Sequence, residues 1–336
     1  MSFKVQIQPS GHEFEVEEDE SILDAALRQG FAFPYGCRNG ACGSCKGKVL
    51  EGEVDYASLP PALTDADTEQ DIAVFCQAMP RSDLRIEVRE IGAAKDIPVK
   101  VLPCRIAALE PLAHDVMKVR LKLPVTERMQ FLAGQYLDIL MREGRRRSFS
   151  LANPPHDDAF LELHVRHVPG GRFSGWLFEQ AKVKDLLRIE GPLGSFFLRE
   201  DTERPVILIA GGTGFAPVKG IIEHAISEGL TRPMHLYWGA RARRDLYLDG
   251  LARGWAEAHE HIHYTPVLSE PAPEDAWGGR TGYVHQAVVE DFEDLSEYEV
   301  YASGPPPMVQ AAREAFPAKG HNPENFYSDS FEYAAD

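Results

Sequence analysis

Hydrophobic and polar residues in the first part of the chain follow two periodicities, one typical of strands and one of a helix. Strands are predicted where apolar and polar residues alternate, at 4–7, 14–16 and 84–88. Ser21 precedes Asp24 with the spacing of a capping box, which predicts a helix start, and Gly30 predicts the helix end. We therefore expect a small mixed fold here.

The middle of the chain has a different pattern, in which short alternating segments are separated by turn residues. Strands are predicted at 116–123, 136–141, 148–152 and 161–165. Such segments favour a small antiparallel barrel or sandwich.

Beyond residue 203, strands and helices alternate. A buried strand at 206–210 precedes a helix at 217–228, and further strands are predicted at 234–238 and 299–302. This alternation is typical of a doubly wound parallel sheet.

The length and composition of the chain agree with several domains. With 336 residues, 44% of them hydrophobic, the chain can build two or three separate cores. The changes in pattern place the domains at 1–92, 98–200 and 201–336, with a linker predicted at 91–98.

The charge of the chain excludes some partners. The net charge is −17, and the first 92 residues hold 17 acidic side chains against 8 basic ones. Such acidity argues against binding to nucleic acid or to an anionic membrane surface. No apolar run approaches the roughly 20 residues that span a bilayer, and residues 1–5 do not resemble the start of a signal peptide. We therefore expect a cytoplasmic protein without membrane insertion.

Four of the five cysteines lie close together in the sequence: Cys37, Cys42, Cys45 and Cys76. The spacing C-x4-C-x2-C with a distant fourth cysteine is that of plant-type [2Fe–2S] ligands. Gly40 and Gly43 allow the loop to turn sharply and to expose amides to cluster sulfur atoms. The alternative is a structural zinc site, although zinc sites usually pair C-x2-C motifs. Cys104 stands apart and is expected to be a small buried hydrophobe.

Two segments in the middle of the chain indicate a flavin site. A basic run ends in Arg-Ser-Phe-Ser at 147–150, and Gly-Arg-Phe-Ser-Gly-Trp-Leu at 171–177 opens a predicted helix. An arginine beside a helix N-terminus suits a pyrophosphate, and Phe149 offers an apolar face for an isoalloxazine ring. A basic run alone is more often a solvated surface, so the order and spacing of the two segments carry the prediction.

Two further loops indicate a dinucleotide site. The first, Ala-Gly-Gly-Thr-Gly-Phe-Ala-Pro at 210–217, lies between a buried strand and a helix, although Pro217 takes the place of the last glycine of the Rossmann fingerprint. The second, Ser-Gly-Pro-Pro-Pro-Met at 303–308, follows a predicted strand and reaches the same edge of the sheet. A tight turn without function is the alternative for the glycine-rich loop.

The choice between NADH and NADPH depends on the residues that follow the second strand of this sheet. An acidic residue there would favour NADH, whereas this chain has Arg241, Arg243 and Arg244 followed by Asp245. We expect both coenzymes to be accepted.

In combination, these motifs resemble the ferredoxin-type oxidoreductases of the ferredoxin–NADP reductase superfamily. The resemblance is greatest to the reductase components of aromatic-ring dioxygenases and multicomponent monooxygenases, and to the CDP-6-deoxy-glucoseen reductases. It covers nearly the whole chain and implies a fold that is multidomain, α+β and α/β. The implied domains are a β-grasp ferredoxin, an antiparallel β-barrel flavin domain and a doubly wound parallel-sheet nucleotide domain. The implied cofactors are a [2Fe–2S] cluster, FAD and NAD(P)H.

The resemblance also implies a role for each motif residue. The implied cluster ligands are Cys37, Cys42, Cys45 and Cys76. The expected contacts in the flavin region are Arg147, Ser148, Phe149, Ser150, His164, Val165, Gly171, Arg172, Phe173 and Ser174. Those in the nucleotide region are Gly211, Gly212, Thr213, Gly214, Pro217, Arg241, Arg243, Ser303, Gly304 and Pro305. Phe149 stands where the family usually has tyrosine, and Ser303 where it commonly has cysteine.

The tail at 326–331 resembles flavin reductases of the superfamily, in which the C-terminal segment packs against the isoalloxazine ring. Phe331 is therefore a further expected cofactor contact. Plain core packing of this aromatic tail is the alternative.

The implied activity is that of an NAD(P)H-dependent iron–sulfur flavoprotein reductase. Electrons pass from NAD(P)H through FAD and the cluster, one at a time, to an oxygenase, hydroxylase or dehydrase component. Hydride transfer needs no acid–base residue, so no catalytic residue is assigned. The alternatives are a free flavin or ferric reductase, and a redox-sensing or ferredoxin-like carrier without turnover. We expect a monomer.

Overall fold

A computed structural model describes residues 2–91 and 97–331, except for the side chain of Glu143. No helix in these two ranges is long and apolar enough to cross a membrane. The linker predicted at 91–98 lies largely outside them, at 92–96.

The chain divides into two compact units, Met1–Pro98 and Val99–Asp336. The predicted domain limits, 1–92, 98–200 and 201–336, stay predictions.

The first unit contains a five-stranded sheet, a two-stranded ribbon and two helices. Its elements are β1 (Ser2–Gln8), β2 (Glu13–Glu17), α1 (Ile22–Arg28), β3 (Lys46–Glu51), β4 (Val54–Asp55), α2 (Asp65–Glu69), β5 (Ile72–Val74), β6 (Met79–Pro80) and β7 (Leu84–Glu87). The sheet order is β2-β1-β7-β3-β5, in which β1 and β7 are parallel and the other pairs antiparallel. A helix packed on such a mixed sheet is the predicted β-grasp arrangement.

The start of α1 agrees only in part with the predicted capping box. The Ser21 hydroxyl accepts a hydrogen bond from the backbone N–H of Asp24 at 3.1 Å, as the spacing predicts. The Asp24 carboxylate instead forms an ion pair with Arg38 at 2.5 Å, which ties the helix to the cysteine loop. The helix ends before Gly30, whose φ of +84° requires a glycine-like backbone.

The second unit begins with an antiparallel barrel. Its elements are β8 (Lys100–Ala113), β9 (Val116–Lys122), β10 (Tyr136–Leu140), β11 (Arg146–Ser150), β12 (Leu161–Arg166), α3 (Arg172–Glu179) and β13 (Leu186–Leu193). The six strands are ordered β11-β10-β13-β8-β9-β12, and a bridge between Leu151 and Leu163 joins the two edge strands. The predicted antiparallel barrel is therefore present.

Two barrel strands, β8 and β13, were not predicted, and β11 begins two residues before the predicted strand at 148–152. Pro103 and Pro111 lie inside β8, and proline within an alternating segment argues against a strand because it cannot donate to the ladder. Tertiary pairing with β13 overrides this local signal.

A parallel sheet completes the second unit. Its elements are β14 (Val206–Gly211), α4 (Phe215–Ser227), β15 (Met234–Ala240), α5 (Asp249–Ala258), β16 (Ile262–Leu268), β17 (Arg280–Thr281), α6 (Val284–Asp291), β18 (Glu299–Gly304), α7 (Pro306–Ala315) and β19 (Phe326–Ser330). The order β17-β16-β15-β14-β18-β19 is parallel throughout, as predicted. The direction of winding reverses between β14 and β18, and ligands bind at such a point beyond the carboxyl ends of the strands.

Both faces of this sheet are covered. Alternate residues of β14 belong to two apolar clusters, with Leu208 beside Trp238 in one and Ile209 beside Phe316 in the other. Every residue of β14 and β18 is buried. The two loops that leave these strands are therefore held on a rigid base.

Candidate functional site

The cysteine loop arranges its sulfur atoms in two pairs. The backbone N–H of Cys37 lies 3.4 Å from the Sγ of Cys42, and the N–H of Cys42 lies 3.3 Å from the Sγ of Cys37. Cys45 and Cys76 form the second pair, because their side chains lie close enough to shift each other's pKa in opposite directions. The four thiols thus lie in two pairs, Cys37 with Cys42 and Cys45 with Cys76.

Within each pair, one thiol donates a hydrogen bond to the other. The bond from Cys37 lowers the pKa of Cys42 to about 5, and the bond from Cys45 lowers the pKa of Cys76. The same bonds, reinforced by burial, raise the pKa of each donating thiol. In each pair, one thiol thus stabilises the thiolate of the other, and metal binding would displace the proton of the donating thiol.

The backbone of the loop has the left-handed conformations that the glycine content predicts. Gly40 has a φ of +84° and Gly43 one of +70°, while Arg38 adopts +58° despite its side chain. A Cβ at Gly40 would lie 2.9 Å from the Cβ of Pro60, so this position accepts only glycine without movement.

The donor set fits a two-iron cluster better than a zinc ion. A single Zn²⁺ needs four sulfur atoms about 2.3 Å from one point, which places them roughly 3.8 Å apart. Among the described residues, the groups of potential ligand atoms that lie within 4.8 Å of one another do not include these cysteines. The Ser44 hydroxyl, whose Oγ is buried, lies beside Cys42 and favours its thiolate form. A donor in this position suits the sulfur atoms of a cluster site.

The fold brings the two predicted flavin segments together. Phe149 on β11 packs against Phe173 in the first turn of α3, with the ring centroids 5.3 Å apart. Gly171 is the N-cap residue of α3, and the Ser174 hydroxyl accepts a hydrogen bond from the N–H of Val168 at 3.1 Å. A half-buried aromatic face therefore lies beside a closed turn at a helix N-terminus, as a flavin and its pyrophosphate require.

The two serines of the flavin motif have different partners. Ser148 Oγ donates to Asp138 Oδ1 at 2.6 Å, within the barrel. Ser150 Oγ donates to Asp329 Oδ2 at 2.7 Å, in a buried contact between the barrel and β19. A hydrogen bond thus connects β11 of the barrel directly to β19 of the parallel sheet.

His164 on β12 belongs to a buried polar network. Its Nε2 lies 3.2 Å from Glu162 Oε1 and its Nδ1 lies 3.1 Å from the Tyr247 hydroxyl. Glu162 also pairs with Lys219 of α4 at 3.3 Å. The side chain of His164 is therefore bonded inside the protein, and Val165 lies in the barrel core. The contact of both residues with a cofactor stays a prediction.

Burial and charge act in opposite directions within this network. Burial lowers the pKa of His164, and the hydrogen bond to Glu162 opposes that shift. Burial alone would raise the pKa of Glu162, but the hydrogen bond from His164 and the charge of Lys219 outweigh it and lower the pKa to about 2. At neutral pH Glu162 is therefore a carboxylate and the imidazole of His164 is neutral.

The two predicted nucleotide loops meet at the switch point of the sheet. A Cβ on Gly214 would overlap the carbonyl oxygen of Ser303, and one on Gly304 would lie 2.9 Å from the Cα of Gly211. Ser303 is fully buried, and its Oγ has no hydrogen-bond partner in the described part of the chain. Only glycines allow this close approach, which leaves backbone rather than side chains facing a dinucleotide.

Aromatic residues support the glycine-rich loop from below. Phe215 stacks on Trp238 with the ring centroids 3.8 Å apart, and the indole N–H of Trp238 donates to the Gly212 carbonyl at 3.0 Å. Tyr247 contacts the edge of Trp238. The position of the loop is therefore fixed by packing.

The predicted arginines lie after β15. Arg241 is exposed, whereas Arg243 lines a cavity of about 420 Å³ whose walls also include Arg253, Tyr264 and Trp277. This cavity combines positive charge with aromatic faces, a combination that suits an adenosine phosphate.

The C-terminal tail is fixed beside the loop at 303–308, the second predicted nucleotide loop. β19 pairs with β18, and the N–H of Phe331 donates to the Gly304 carbonyl at 2.9 Å, which extends the ladder by one residue. The contact between Phe331 and FAD stays a prediction.

Several residues of the site were missed by the sequence analysis: Glu162, Lys219, Trp238, Tyr247 and Asp329. For Asp329 a signal exists, because it is a polar residue in a short strand-like segment that reaches the ligand-binding edge of the sheet. For Lys219 the only local signal is its i,i+4 pair with Glu223 on the same helix, which does not indicate the contacts with Ala152 and Glu162 of the barrel.

Three protein families match successive parts of the chain. The family described as 2Fe-2S iron-sulfur cluster binding domain matches residues 5–81. The family described as Oxidoreductase FAD-binding domain matches residues 103–198, and that described as Oxidoreductase NAD-binding domain matches residues 208–314.

Relatives match over nearly the full length. The chain is 43% identical to a CDP-6-deoxy-L-threo-D-glycero-4-hexulose-3-dehydrase reductase of Yersinia pestis, over 98% of this chain and 99% of that protein. It is 36% identical to reductase component 1 of a terephthalate 1,2-dioxygenase of Comamonas sp., over 98% of each. It is 38% identical to the reductase component DmpP of a phenol 2-monooxygenase of Pseudomonas sp., over 93% of this chain and 89% of that protein.

Solved structures show the same likeness. A cytochrome P450 reductase of Amycolatopsis, GcoB, has a TM-score of 0.80 and 35% identity, with 98% of each chain covered. A ferredoxin reductase in carbazole 1,9a-dioxygenase has a TM-score of 0.72 and 31% identity, with 99% of each chain covered.

Proposed function

This chain belongs to the [2Fe–2S] flavoprotein reductases of the ferredoxin–NADP reductase superfamily, and we propose that it serves as the reductase component of a dehydrase or an oxygenase. It is an NAD(P)H oxidoreductase whose cofactors are a [2Fe–2S] cluster, FAD and NAD(P)H. When bound, FAD accepts two electrons as hydride and the cluster passes electrons on singly.

The observation that carries the proposal is the arrangement of four cysteines in two pairs, in a chain whose other unit has both a flavin barrel and a dinucleotide sheet. A free flavin or ferric reductase has no need of that cysteine loop. A carrier without turnover has no need of the close-packed glycines that leave room for a dinucleotide.

We assign the cluster to the four paired cysteines: Cys37, Cys42, Cys45 and Cys76. The glycines of the loop shape its backbone, and the buried Ser44 hydroxyl donates toward the cluster.

In the second unit, this chain's residues bind and orient the two ring systems. Phe149 offers a ring face to the flavin, and the turn at Gly171 receives the pyrophosphate. The glycine loop at 211–214 receives the dinucleotide phosphates, and the backbone at Ser303 borders the nicotinamide. The remaining proposed contacts are Arg147, Ser148, Ser150, His164, Val165, Arg172, Phe173, Ser174, Pro217, Arg241, Arg243, Gly304, Pro305 and Phe331.

Among possible acceptors, we favour a dehydrase that acts on a CDP-activated deoxysugar. The support is the 43% identity to dehydrase reductases over nearly the whole chain, compared with 36% and 38% for two oxygenase reductases. We further propose a cytoplasmic monomer that meets its acceptor through the acidic first unit, which repels nucleic acid.

The test compares two cysteine variants of the full chain. Cys42→Ser removes a cluster ligand, whereas Cys104→Ser changes a buried cysteine of the barrel core. Cys42→Ser should lose the visible absorbance of the cluster, keep FAD and still reduce ferricyanide, which takes electrons directly from flavin. Reduction of cytochrome c and of the purified dehydrase should fall at least about 100-fold, because the single-electron exit is lost.

Cys104→Ser serves as the control and should retain the cluster and both activities. Equal reduction of cytochrome c by Cys42→Ser and the unaltered protein would favour a free flavin reductase instead. The unaltered protein should reduce both cytochrome c and the dehydrase. If it reduced cytochrome c and an oxygenase component but not the dehydrase, the proposed acceptor would be an oxygenase instead.

A further inference from the structure

Three potential metal ligands meet away from the proposed cofactor sites. A ring nitrogen of His156, a ring nitrogen of His224 and a carboxylate oxygen of Glu228 lie within 4.8 Å of one another. His224 lies in the last turn of α4, and Glu228 caps the end of that helix four positions later. His156 comes from the loop that follows β11 in the barrel. The group therefore spans the barrel and the parallel sheet within the second unit.

The imidazole of His224 is set up as a ligand by a fourth residue. Its Nε2 lies 2.9 Å from Glu200 Oε1, and a carboxylate can only accept, so Nε2 carries the proton in the neutral ring. The lone pair is then on Nδ1, which is buried and has no hydrogen-bond partner among the described residues. A carboxylate that holds one imidazole nitrogen while the other is left for a cation is the usual environment of a histidine metal ligand.

The two sides of the site are held at a fixed separation. Lys219 of α4 donates to the Ala152 carbonyl at 3.0 Å, and a Cβ at Gly220 would lie 3.2 Å from the Asn153 carbonyl oxygen. The loop itself is closed because the Asn153 side chain donates to the Asp157 carbonyl at 2.6 Å. The backbone that carries His156 is therefore ordered and close to α4 before any ion binds.

We propose that His156, His224 and Glu228 bind a divalent transition-metal ion of the zinc class, with Glu200 as the positioning residue. Two imidazoles and one carboxylate are a common set of protein ligands for Zn²⁺, and they leave a fourth position for water. Donors around such an ion lie roughly 3.4 Å apart, so the exposed side chains of His156 and Glu228 close on it by rotation. The ion joins the barrel to the parallel sheet and stabilises the second unit by mass action.

A second group with a similar composition already has a cationic side chain beside it. His114, Asp115 and Asp245 also offer ligand atoms within 4.8 Å of one another. The guanidinium of Arg166 lies 3.1 Å from Asp115 Oδ2 and already supplies a positive charge there. A histidine of this group is therefore a suitable control.

The experiment uses the full protein with its cluster and FAD bound. The cluster absorbance is followed to confirm that Zn²⁺ does not displace the cluster from the cysteines. Zn²⁺ is titrated by calorimetry into the unaltered protein, His156→Ala, Glu228→Gln, Glu200→Gln and the control His114→Ala. We expect one Zn²⁺ per chain in the unaltered protein and the control. His156→Ala and Glu228→Gln should weaken binding at least about 10-fold. Glu200→Gln should weaken it about 10-fold, because a neutral amide no longer raises the basicity of the His224 imidazole.

The second readout is thermal unfolding followed by flavin release. Zn²⁺ should raise the unfolding temperature of the unaltered protein and of His114→Ala, and should leave that of His156→Ala unchanged. Equal Zn²⁺ affinity in all variants, no binding in the unaltered protein, or loss of binding only in His114→Ala would overturn the proposal. Binding of Mg²⁺ as tight as that of Zn²⁺ would also overturn it, because it would indicate an acidic surface rather than a site with imidazole ligands.

Discussion

The cysteine loop and the nucleotide edge both depend on glycine-rich loops, but they assemble their chemistry over different distances in the sequence. Three of the four paired cysteines come from the nine residues 37–45, and the fourth follows the adjacent strand β5. At the nucleotide edge, Gly214 packs against Ser303, and Ser150 bonds to Asp329 across 179 positions. The cysteine site is therefore formed mainly by one loop, whereas the nucleotide edge forms only when distant parts of the second unit fold together.

This difference leads to different consequences of mutation. Loss of a cysteine removes a proposed ligand but leaves the sheets of the second unit untouched. Loss of a contact between the barrel and the parallel sheet displaces two elements that the proposed flavin and dinucleotide sites share. We therefore expect damage to remain local in the first case and to spread in the second.

The largest effect is expected for Gly214→Ala. The new methyl group would overlap the Ser303 carbonyl oxygen, so the two loops must separate. A displacement of this kind should lower kcat/KM for NADH roughly 100-fold, while the cluster absorbance stays unchanged. Steady-state kinetics and visible spectra test both parts.

Gly250→Ala is the matched control, since no heavy atom lies within 4 Å of the added Cβ. If Gly214→Ala retained full activity with NADH, the close contact between the two loops would not limit nucleotide binding. If it also lost the cluster, damage would not be confined to the second unit.

Removal of a long-range hydrogen bond should have the next largest effect. Ser150→Ala deletes the buried bond to Asp329, and loss of such a bond costs about 1–3 kcal/mol. Ser148→Ala deletes a bond to Asp138 that remains within the barrel and is only partly buried. Urea unfolding monitored by flavin fluorescence should show the larger loss for Ser150→Ala, and an equal loss in both variants would contradict the comparison.

The two units should also respond differently to acid. Burial lowers the pKa of His235 and of His321 to about 4 from a usual value of 6.5. A histidine with a lowered folded-state pKa adds stability above pH 6.5, and this stability is lost as the pH falls because the unfolded chain binds the proton more readily. The first unit contains a single histidine, His12, which lies in an exposed ion pair with Glu90.

We therefore expect the flavin-monitored stability of the second unit to fall between pH 6.5 and 5.5 by roughly 1 kcal/mol for each of His235 and His321. His321→Gln should make this pH dependence shallower than it is in the unaltered protein. An unchanged slope in His321→Gln would show that buried His321 does not control the acid response.

Sequence patterns predicted elements and motifs well where the determining contacts are local. The cysteine spacing, the glycines of the nucleotide loop and the parallel sheet all follow from short segments. The barrel strand β8 was missed because its prolines conceal a strand that only pairing with β13 reveals.

The contacts between elements could not be predicted for the same physical reason. The sequence indicates His164 as a cofactor contact, but it does not indicate that Glu162 and Tyr247 bond its side chain. Tyr247 is 83 positions away, and nothing in the local pattern of β12 points to it. A sequence motif identifies which residues can perform the chemistry, whereas the folded contacts decide what their side chains bond to.

The smallest effect is expected for coenzyme choice, where exposed charges act on a phosphate. Arg243 lines the cavity after β15 and donates to the Asp275 carbonyl at 3.2 Å, while Asp245 accepts from the Ala242 N–H and does not neutralise it there. An exposed ion pair contributes about 0.5–1 kcal/mol, so Arg243→Ala should lower the NADPH to NADH ratio of kcat/KM about 2- to 5-fold, and more at low salt.

Arg253→Ala is the control, because that arginine lines the same cavity with its charge paired to Asp249 at 2.8 Å. An equal change of the ratio in both variants would mean that the whole cavity, rather than Arg243 alone, selects the coenzyme. An unchanged ratio in both variants would mean that the cavity has no part in coenzyme selection.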